Sequence, residues 1–541
     1  MPRVAAEPLA SVPGWAPLRR PVFRALWLAQ FVANTGTWTQ TVGAQWLMGD
    51  LGGGVLAMAL VQAATTLPVF LLVVPAGALG DILDRRRLLL AGQALMCAGG
   101  AGITATTAAG RTTPSLLLGL IAVMGVGQAL SMPSFQAIQP ELVSRSEVPQ
   151  AAVLNGVNIN VARAVGPAVG GLLVAAAGSA ATFAFNTVSF VGVLTVLYRW
   201  KRPPDHRPLG AEHVVAATRA GARYILNAPR FATVLVRSAL FMVFASGLWA
   251  LLPAVARGPL RLGAGGYGVL LAGVGIGAVA GAFVVGRLRE AVGANALVNG
   301  SMVVYGMSMV VVGIGQRPGP VLPALMAAGA AWIGVQSTLN ATAQALLPAW
   351  TRARALAYFQ LVFMGGQTLG AIGWGVVASL TGLRAAFVMP GFALLVAGVV
   401  IGRTLRLPRT SPDLSRTLFW PEPAAGPDSD SDAGPVLVEV QWRVPEPNAE
   451  AFVDAMHHVS RSRKRTGATL WGLFRDVSEP SLYVETFTVA TWHEHLRQHL
   501  ERGTVWDSEL EAAARALTID GTEPVVRHLI WADALRPSPD Q

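Results

Sequence analysis

The sequence predicts an all-α polytopic membrane protein of twelve transmembrane helices, in two related halves of six, followed by a small α+β soluble domain. Its 541 residues are 53% hydrophobic and only 13% charged, with a mean hydropathy of +0.49. Soluble proteins carry about a quarter charged residues, so this composition excludes an ordinary soluble protein. The charge is uneven, because 21 of the 30 acidic residues lie after residue 409. A basic membrane part therefore precedes an acidic soluble tail.

Twelve apolar runs precede residue 408, and a run of about 20 apolar residues is long enough to cross a bilayer. They lie near 22–48, 55–79, 88–109, 114–137, 151–177, 180–198, 231–255, 265–286, 295–315, 320–344, 355–380 and 384–404. Arginine and lysine concentrate in every second connection. The positive-inside rule then predicts that both termini and the segment 199–230 are cytoplasmic.

Internal repetition supports the division into six and six helices. Gly166, Gly171, Gly178 and Phe183 recur 204 residues later as Gly370, Gly375, Gly382 and Phe387. We therefore expect a cytoplasmic tail at 1–20, helix bundles at 21–199 and 231–407 joined by a central loop at 200–230, a linker at 408–435 and a soluble domain at 436–536. Folds with such repeats bind substrate near the membrane midplane, between the halves.

The connection after the second apolar run carries the pattern Gly77-x-Leu79-Gly80-Asp81-x-x-Asp84-Arg85-Arg86. It resembles the loop between the second and third helices of the major facilitator superfamily, with Asp84 standing where that family usually has glycine. The resemblance implies a conformational gate. Asp81 would face the N-terminus of the eleventh helix, and Arg85 would pair with Glu141 to hold the outward-open state. Gly77, Gly80 and Arg86 would complete this gate.

Span five contains Gly166-Pro167-x-x-Gly170-Gly171. This pattern resembles the antiporter motif of drug-exporting facilitators, in which proline bends the helix and the glycines admit close packing. Generic membrane-helix packing is the alternative. The whole arrangement resembles the transmembrane secretion effector branch, which includes enterobactin exporters. It implies export of a small amphipathic molecule, such as a siderophore or antibiotic, by alternating access driven by the proton gradient. An importer is the rival, and no carboxylate lies in mid-membrane to serve as a proton shuttle.

Polar residues inside spans are candidates for substrate contact, because they are costly in a bilayer. Asn34, Trp38 and Thr41 share one face of the first predicted helix, and Gln336 and Asn340 share a face of the tenth. Gln367 and Trp249 complete the candidate cavity. Contacts between helices are the alternative for each residue.

Arg163 is the strongest single candidate for a functional charge within the membrane. It lies twelve residues into its predicted span, roughly 18 Å along the helix axis. A guanidinium at that depth needs a counter-charge. Either a carboxylate or helix C-terminus in the cytoplasmic gate, or an anionic substrate, would supply it.

The tail has a β-α-β-β-α-β order, which predicts a ferredoxin-like fold. It resembles the dimeric barrel domains of antibiotic-biosynthesis monooxygenases, which implies a possible homodimer and leaves open a catalytic tail acting on an aromatic metabolite. His493, His495 and His499 lack a completing ligand of known spacing, so the sequence predicts no metal. We expect no cofactor, no catalytic residue and no nucleic-acid partner. The expected partners are a small-molecule substrate and the lipid bilayer of a bacterial inner membrane.

Overall fold

The computed structural model describes residues 13–200, 221–408, 412–418, 420, 433–519 and 524–532. The chain forms two compact units. The first, here the helical unit, comprises Met1–Ala211, Leu235–Asn340 and Ala357–Leu407. The second, here the tail unit, comprises Glu212–Val234, Ala341–Leu356 and Pro408–Gln541.

Twelve helices of 21 to 30 residues account for the described membrane part. They are α1 (Pro21–Asp50), α2 (Gly54–Ile82), α3 (Arg85–Ala108), α4 (Pro114–Ile138), α5 (Val148–Ala177), α6 (Ser179–Arg199), α7 (Pro229–Arg257), α8 (Ala264–Val292), α9 (Ala294–Ile314), α10 (Pro318–Ala345), α11 (Arg352–Thr381) and α12 (Leu383–Thr404). Among the described residues, eleven helices are long and apolar enough to cross a membrane. The remaining one is α1, whose length suffices but whose sequence carries several threonine, glutamine and asparagine side chains.

The repeated glycines occupy equivalent turns in the two halves. Gly178 joins α5 to α6 with φ of 80°, and Gly382 joins α11 to α12 with φ of 91°. Residues with a side chain rarely adopt a positive φ, whereas glycine does so readily. Glycine therefore allows each helix pair to turn within one residue. Phe183 and Phe387, each five residues further on, are both fully buried. The internal repeat thus marks positions with the same structural role.

Helices α5 and α8 pack closely along only part of their length. A Cβ on Gly171 would lie 2.8 Å from the Cα of Gly268, and one on Gly275 would lie 2.4 Å from the Cα of Ala164. Towards the start of α5 and the end of α8, by contrast, a Cβ on Gly156 or on Gly286 would have no neighbour within 4 Å among the described residues. This α5–α8 seam is closed at the Gly171 end and open at the Gly156 end.

The tail unit contains a four-stranded antiparallel sheet. Its strands are β1 (Val436–Arg443), β2 (Leu470–Arg475), β3 (Leu482–Val489) and β4 (Val525–Ile530), in the order β2-β3-β1-β4. Helix α13 (Ala449–Thr466) follows β1, while α14 (Trp492–Arg497), a π-helical turn (Gln498–Arg502) and α15 (Val505–Arg515) lie between β3 and β4. Alternate residues of β1 and β3 are buried, as a sheet with one covered face requires.

The same unit includes two segments that flank membrane helices, 221–234 and 341–356. The guanidinium of Arg502 lies 5.1 Å from the ring centre of Trp350, and that of Arg230 lies 5.4 Å from the ring of Trp506. The hydroxyl of Tyr224 donates to the carbonyl of Leu346 at 3.0 Å. Cation–π contacts of this kind contribute about 0.5–2 kcal/mol each, more where water is excluded.

Candidate functional site

The most distinctive polar feature of the helical unit is an arginine resting on a chain of aromatic rings. The guanidinium of Arg163 on α5 lies 5.6 Å from the ring centre of Trp38 on α1. Trp38 lies 5.6 Å from Trp249 on α7, which lies 5.3 Å from Trp332 on α10. Phe363 on α11 continues the series at 6.2 Å from Trp332. Three predicted substrate residues, Trp38, Arg163 and Trp249, therefore meet in one cluster, here the arginine–tryptophan cluster.

Arg163 has no ion pair and no hydrogen bond with any residue of the described ranges. Its Nε is buried without a hydrogen-bond partner, while the side chain as a whole remains partly exposed. An unpaired guanidinium in a low-dielectric setting is costly unless an anion or water reaches it. The Arg163 guanidinium also offers a planar fork of donors that matches a carboxylate. The Trp38 ring beside it stabilises its positive charge. The cluster can therefore bind an anionic aromatic ligand.

The glycine-proline motif of α5 shapes this position. Pro167 lacks the N–H that would otherwise donate to the carbonyl of Arg163, and that carbonyl would lie 2.8 Å from a Cβ on Gly275 of α8. Gly166 and Gly170 face α1, where Thr39 Oγ1 donates to the carbonyl of Gly166 at 3.0 Å. Gly171 faces α8 instead.

Each glycine of the motif would clash with its neighbour if it carried a side chain. A Cβ on Gly166 would lie 2.5 Å from the Cβ of Trp38. The motif thus brings α1 and α8 close to α5 on two different faces, and it holds Trp38 beside Arg163.

The other predicted substrate residues divide into two groups. Gln336 and Gln367 are partly buried and form no hydrogen bond with the described residues, which leaves their amides available. Thr41 lines a mainly apolar pocket within the first half, to which Gln40, Gln62, Thr65 and Gln128 contribute polar groups.

Asn34 and Asn340 have protein partners. Asn34 donates to Asn158 Oδ1 at 2.9 Å, and Asn158 in turn donates to the carbonyl of Trp27 at 2.9 Å. These bonds tie α1 to α5, as expected of an interhelical contact. Asn340 also interacts with other protein groups.

Polar contacts between the two halves close the Gly171 end of the helical unit. The Arg257 guanidinium lies 2.7 Å from the carboxylate of Asp50, donates to the carbonyl of Trp46 at 2.5 Å, and stacks 3.7 Å from the centre of the Trp46 ring. Nearby, the hydroxyl of Tyr267 donates to Gln45 Oε1. We refer to these five residues as the latch.

At the other end of the first half, the loop motif makes a different set of bonds. Arg85 lies 3.1 Å from Glu141, and Arg86 donates to the carbonyls of Leu197 and Tyr198 at the end of α6. Asp84, the departure from the family pattern, accepts from the N–H of Arg87 at 2.9 Å and so caps α3. An N-cap carboxylate replaces glycine at this turn. The surroundings of Gly77, Gly80 and the Asp81 side chain lie outside what the structure describes.

Arg237 and Trp332 were not identified from the sequence, and both make several contacts between helices. Arg237 is 1% exposed within α7, where it donates to Asn295 Oδ1 at 2.6 Å and to Asn299 Oδ1. It could have been found, because it interrupts an apolar run as Arg163 does. Trp332 lies at the centre of the aromatic chain, but one tryptophan in an apolar helix gives no signal of that.

Comparisons with known proteins agree with this architecture. The sequence profile of the family described as "Transmembrane secretion effector" matches residues 12–536. The chain is 25% identical over 388 residues to the enterobactin exporter EntS of Escherichia coli O1:K1, covering 70% of this chain and 91% of that protein. EntS of Shigella boydii serotype 18 is likewise 25% identical, over 392 residues.

Solved structures show the same fold in transporters. A variant of the nucleoside transporter NupG superposes with a TM-score of 0.57 and 12% identity, covering 71% of this chain and 99% of that one. A bacterial homologue of the human lysosomal transporter Spinster, in an inward-facing and unoccupied conformation, superposes with a TM-score of 0.56 and 14% identity, covering 73% and 97%. The protein is thus a multi-pass membrane transporter with the major facilitator fold, and it belongs to the transmembrane secretion effector family.

Proposed function

We propose that this protein exports a small, anionic, aromatic molecule from the cytoplasm by alternating access. The observation that carries the proposal is Arg163, partly exposed, without an ion pair in the described ranges and stacked on Trp38. A catecholate or carboxylate cargo would supply the missing counter-charge and a ring to stack on the aromatic chain. The likeness to enterobactin exporters supports this class of cargo. Thr41, Trp249, Gln336 and Gln367 complete the proposed binding set, and Asn34 and Asn340 would join it only by exchanging their present protein partners.

All twelve long helices cross the bacterial inner membrane in this proposal, including α1. The polar residues of α1 cost little in the bilayer if they face the cavity or neighbouring helices instead of lipid. The positive-inside rule supports cytoplasmic termini and places the latch outside. A closed latch and an open Gly156 end then correspond to an inward-facing state, ready to take cargo from the cytoplasm.

Transport requires the two ends to exchange roles. The Asp50–Arg257 pair and the Gln45–Tyr267 bond must break, and the glycine surfaces of Gly171 and Gly268 must separate. At the cytoplasmic end, a gate made by Gly77, Gly80, Asp81, Arg85, Arg86 and Glu141 would close. The Arg85–Glu141 pair is already formed while the latch is closed, so this pair alone does not hold the outward-open state. Because the two ends are never open at the same time, the cargo crosses the membrane without a continuous pore.

We infer that the proton gradient drives the cycle, as the likeness to drug-exporting facilitators implies. Opening of the latch breaks the Asp50–Arg257 ion pair, and the half-exposed Asp50 carboxylate is then hydrated. Outward cargo movement should therefore depend on the proton gradient.

The tail unit, in this proposal, has a ferredoxin-like fold, because the strand order β2-β3-β1-β4 interleaves two β-α-β elements in one antiparallel sheet. Its contacts with Trp350 and its neighbours support a regulatory or dimer-forming role at the cytoplasmic face rather than a catalytic one.

Everted membrane vesicles provide the test of export. With an imposed inward-acidic gradient, vesicles containing the protein should accumulate a fluorescent catecholate more than vesicles with empty membranes. Vesicles containing Arg163→Gln should accumulate it at the rate of the empty membranes. Accumulation only in right-side-out vesicles would identify an importer and refute export.

A further inference from the structure

A cluster of three histidines lies in the tail unit. One ring nitrogen from each of His495, His499 and His528 lies within 4.8 Å of the other two. The ring centres of His495 lie 4.6 Å from His499 and 4.8 Å from His528. The sequence grouped His495 and His499 with His493 and left out His528, which follows 29 residues after His499.

The fold brings the three rings together from two elements. His495 lies on α14, and His499 lies on the π-helical turn that continues it. His528 lies on the edge strand β4, opposite Val438 of β1. Side chains alternate along a strand, so His528 shares a face with Ile530, which packs on the hydrophobic core. Single π-helical turns are frequent at functional sites, because they re-aim side chains within a helix.

Two of these rings have buried nitrogen atoms without a hydrogen-bond partner. His495 is fully buried, and its Nδ1 lies 3.3 Å from Gln498 Oε1, whereas its Nε2 has no partner. Nε2 of His528 is also buried without a partner. Burying a polar atom in this way costs about 1–3 kcal/mol. A ligand that accepts both lone pairs would recover that free energy.

An aromatic ring covers one side of the cluster. The Trp492 ring lies 5.5 Å from His495 and 5.8 Å from His528, so the cluster has an apolar wall.

We propose that His495, His499 and His528 form a binding site for one divalent transition-metal ion, with Zn²⁺ as the best match. Zinc binds imidazole nitrogens at about 2.0–2.1 Å in a tetrahedral arrangement, which places them roughly 3.3 Å apart. The three nitrogens lie within 4.8 Å of one another, so binding requires the rings to turn and bring them closer by about 1.5 Å. Gln498 would hold His495 in the tautomer that presents Nε2 to the metal, as outer ligands of zinc histidines do. No cysteine or carboxylate joins the cluster among the described residues, so the fourth position remains for water or a small ligand.

The test uses the full-length chain, purified in detergent without a polyhistidine tag, stripped with chelator and exposed to excess Zn²⁺ before gel filtration. Elemental analysis should find one zinc per chain in the wild type. His528→Gln should hold at least tenfold less zinc at the same free concentration. His493→Gln is the matched control, because it removes an exposed imidazole from the same helix and should retain the wild-type zinc content.

A second measurement separates a metal centre from adventitious binding. Co²⁺ bound to the wild type and to His493→Gln should show the intense visible bands of a tetrahedral ion, and these should be lost in His528→Gln and in His499→Gln. Both variants must elute as folded protein, and the second replaces the first if His528→Gln aggregates. Zinc absent from the wild type, or retained equally after loss of a cluster histidine, would overturn the proposal.

Discussion

Replacement of Arg163 by lysine separates the two roles that a deep guanidinium can have. Lysine keeps the positive charge but loses the planar fork and the stacking on Trp38. A cargo held by two charge-assisted hydrogen bonds should therefore bind more weakly, whereas a neutral cargo of the same size should not. A residue that only braces the helices would affect both cargoes equally.

The magnitude follows from the contacts that are lost. Hydrogen bonds to charged groups contribute about 1.5–3 kcal/mol, and the cation–π contact with Trp38 at 5.6 Å adds about 0.5–1 kcal/mol in the free protein. Loss of one such hydrogen bond predicts a dissociation constant raised on the order of 10- to 100-fold for an anionic aromatic ligand. For a neutral analogue we expect a change of less than about threefold, since no charge-assisted bond is lost.

Titration calorimetry on purified protein, with a catecholate and its neutral methyl ether, measures both constants. Arg384→Lys is the matched control, because it makes the same change at an exposed position at the start of α12. Equal weakening for both ligands in Arg163→Lys would refute the binding role. No weakening for either would remove Arg163 from the site.

Three further predictions follow from other contacts. Asp50→Asn removes the ion pair with Arg257, which is partly exposed and contributes about 0.5–1 kcal/mol, so cysteines introduced at the latch should be labelled from outside about two- to fivefold faster, and unchanged labelling would contradict the latch. Trp350→Ala removes the stacking partner of Arg502, so the linker after residue 408 should be cut faster by protease than in the wild type, and equal rates would show that this contact does not hold the tail. Burial lowers the pKa of His495 from 6.5 to about 3, so protonation favours the unfolded state. In the metal-free tail, expressed as residues 408–541, His495 alone should lower the free energy of unfolding by about 2 kcal/mol between pH 7 and pH 5. Urea unfolding of His495→Gln should show a smaller loss over this range, the remainder coming from His528, whose pKa burial also lowers, and an unchanged loss would contradict the assignment.

The features that sequence alone predicted are those set by local pattern. Hydrophobic length predicts the helices, and the recurrence of Gly178 at Gly382 predicts equivalent tight turns, because a backbone with positive φ strongly favours glycine. The Gly-Pro motif of α5 also predicts close packing. Each of these signals depends on a few neighbouring residues, so no tertiary information is needed to read it.

Partnerships between distant helices could not be predicted in this way. Asn34 and Trp38 lie one turn apart on the same face of α1, yet Asn34 bonds to Asn158 while Trp38 carries Arg163. Periodicity gives the face of a helix but not its rotation against a particular neighbour. His528 shows the same limit, since only the pairing of β4 with β1 brings it to the helical histidines.

The contacts within the first half are more deeply bonded than the seam between the halves. Within the first half, Asn186 donates to Gln40 Oε1 at 2.6 Å in a buried setting, and Thr39 bonds across to α5. Breaking such bonds without water would leave buried polar groups unsatisfied, at about 1–3 kcal/mol each. Between the halves, glycine surfaces meet along the α5–α8 seam, and the Asp50–Arg257 pair of the latch is partly exposed, so its groups gain water when it opens. The Gln45–Tyr267 and Thr66–Thr368 hydrogen bonds also join the halves and are buried, so the barrier to separation should be set mainly by these two bonds.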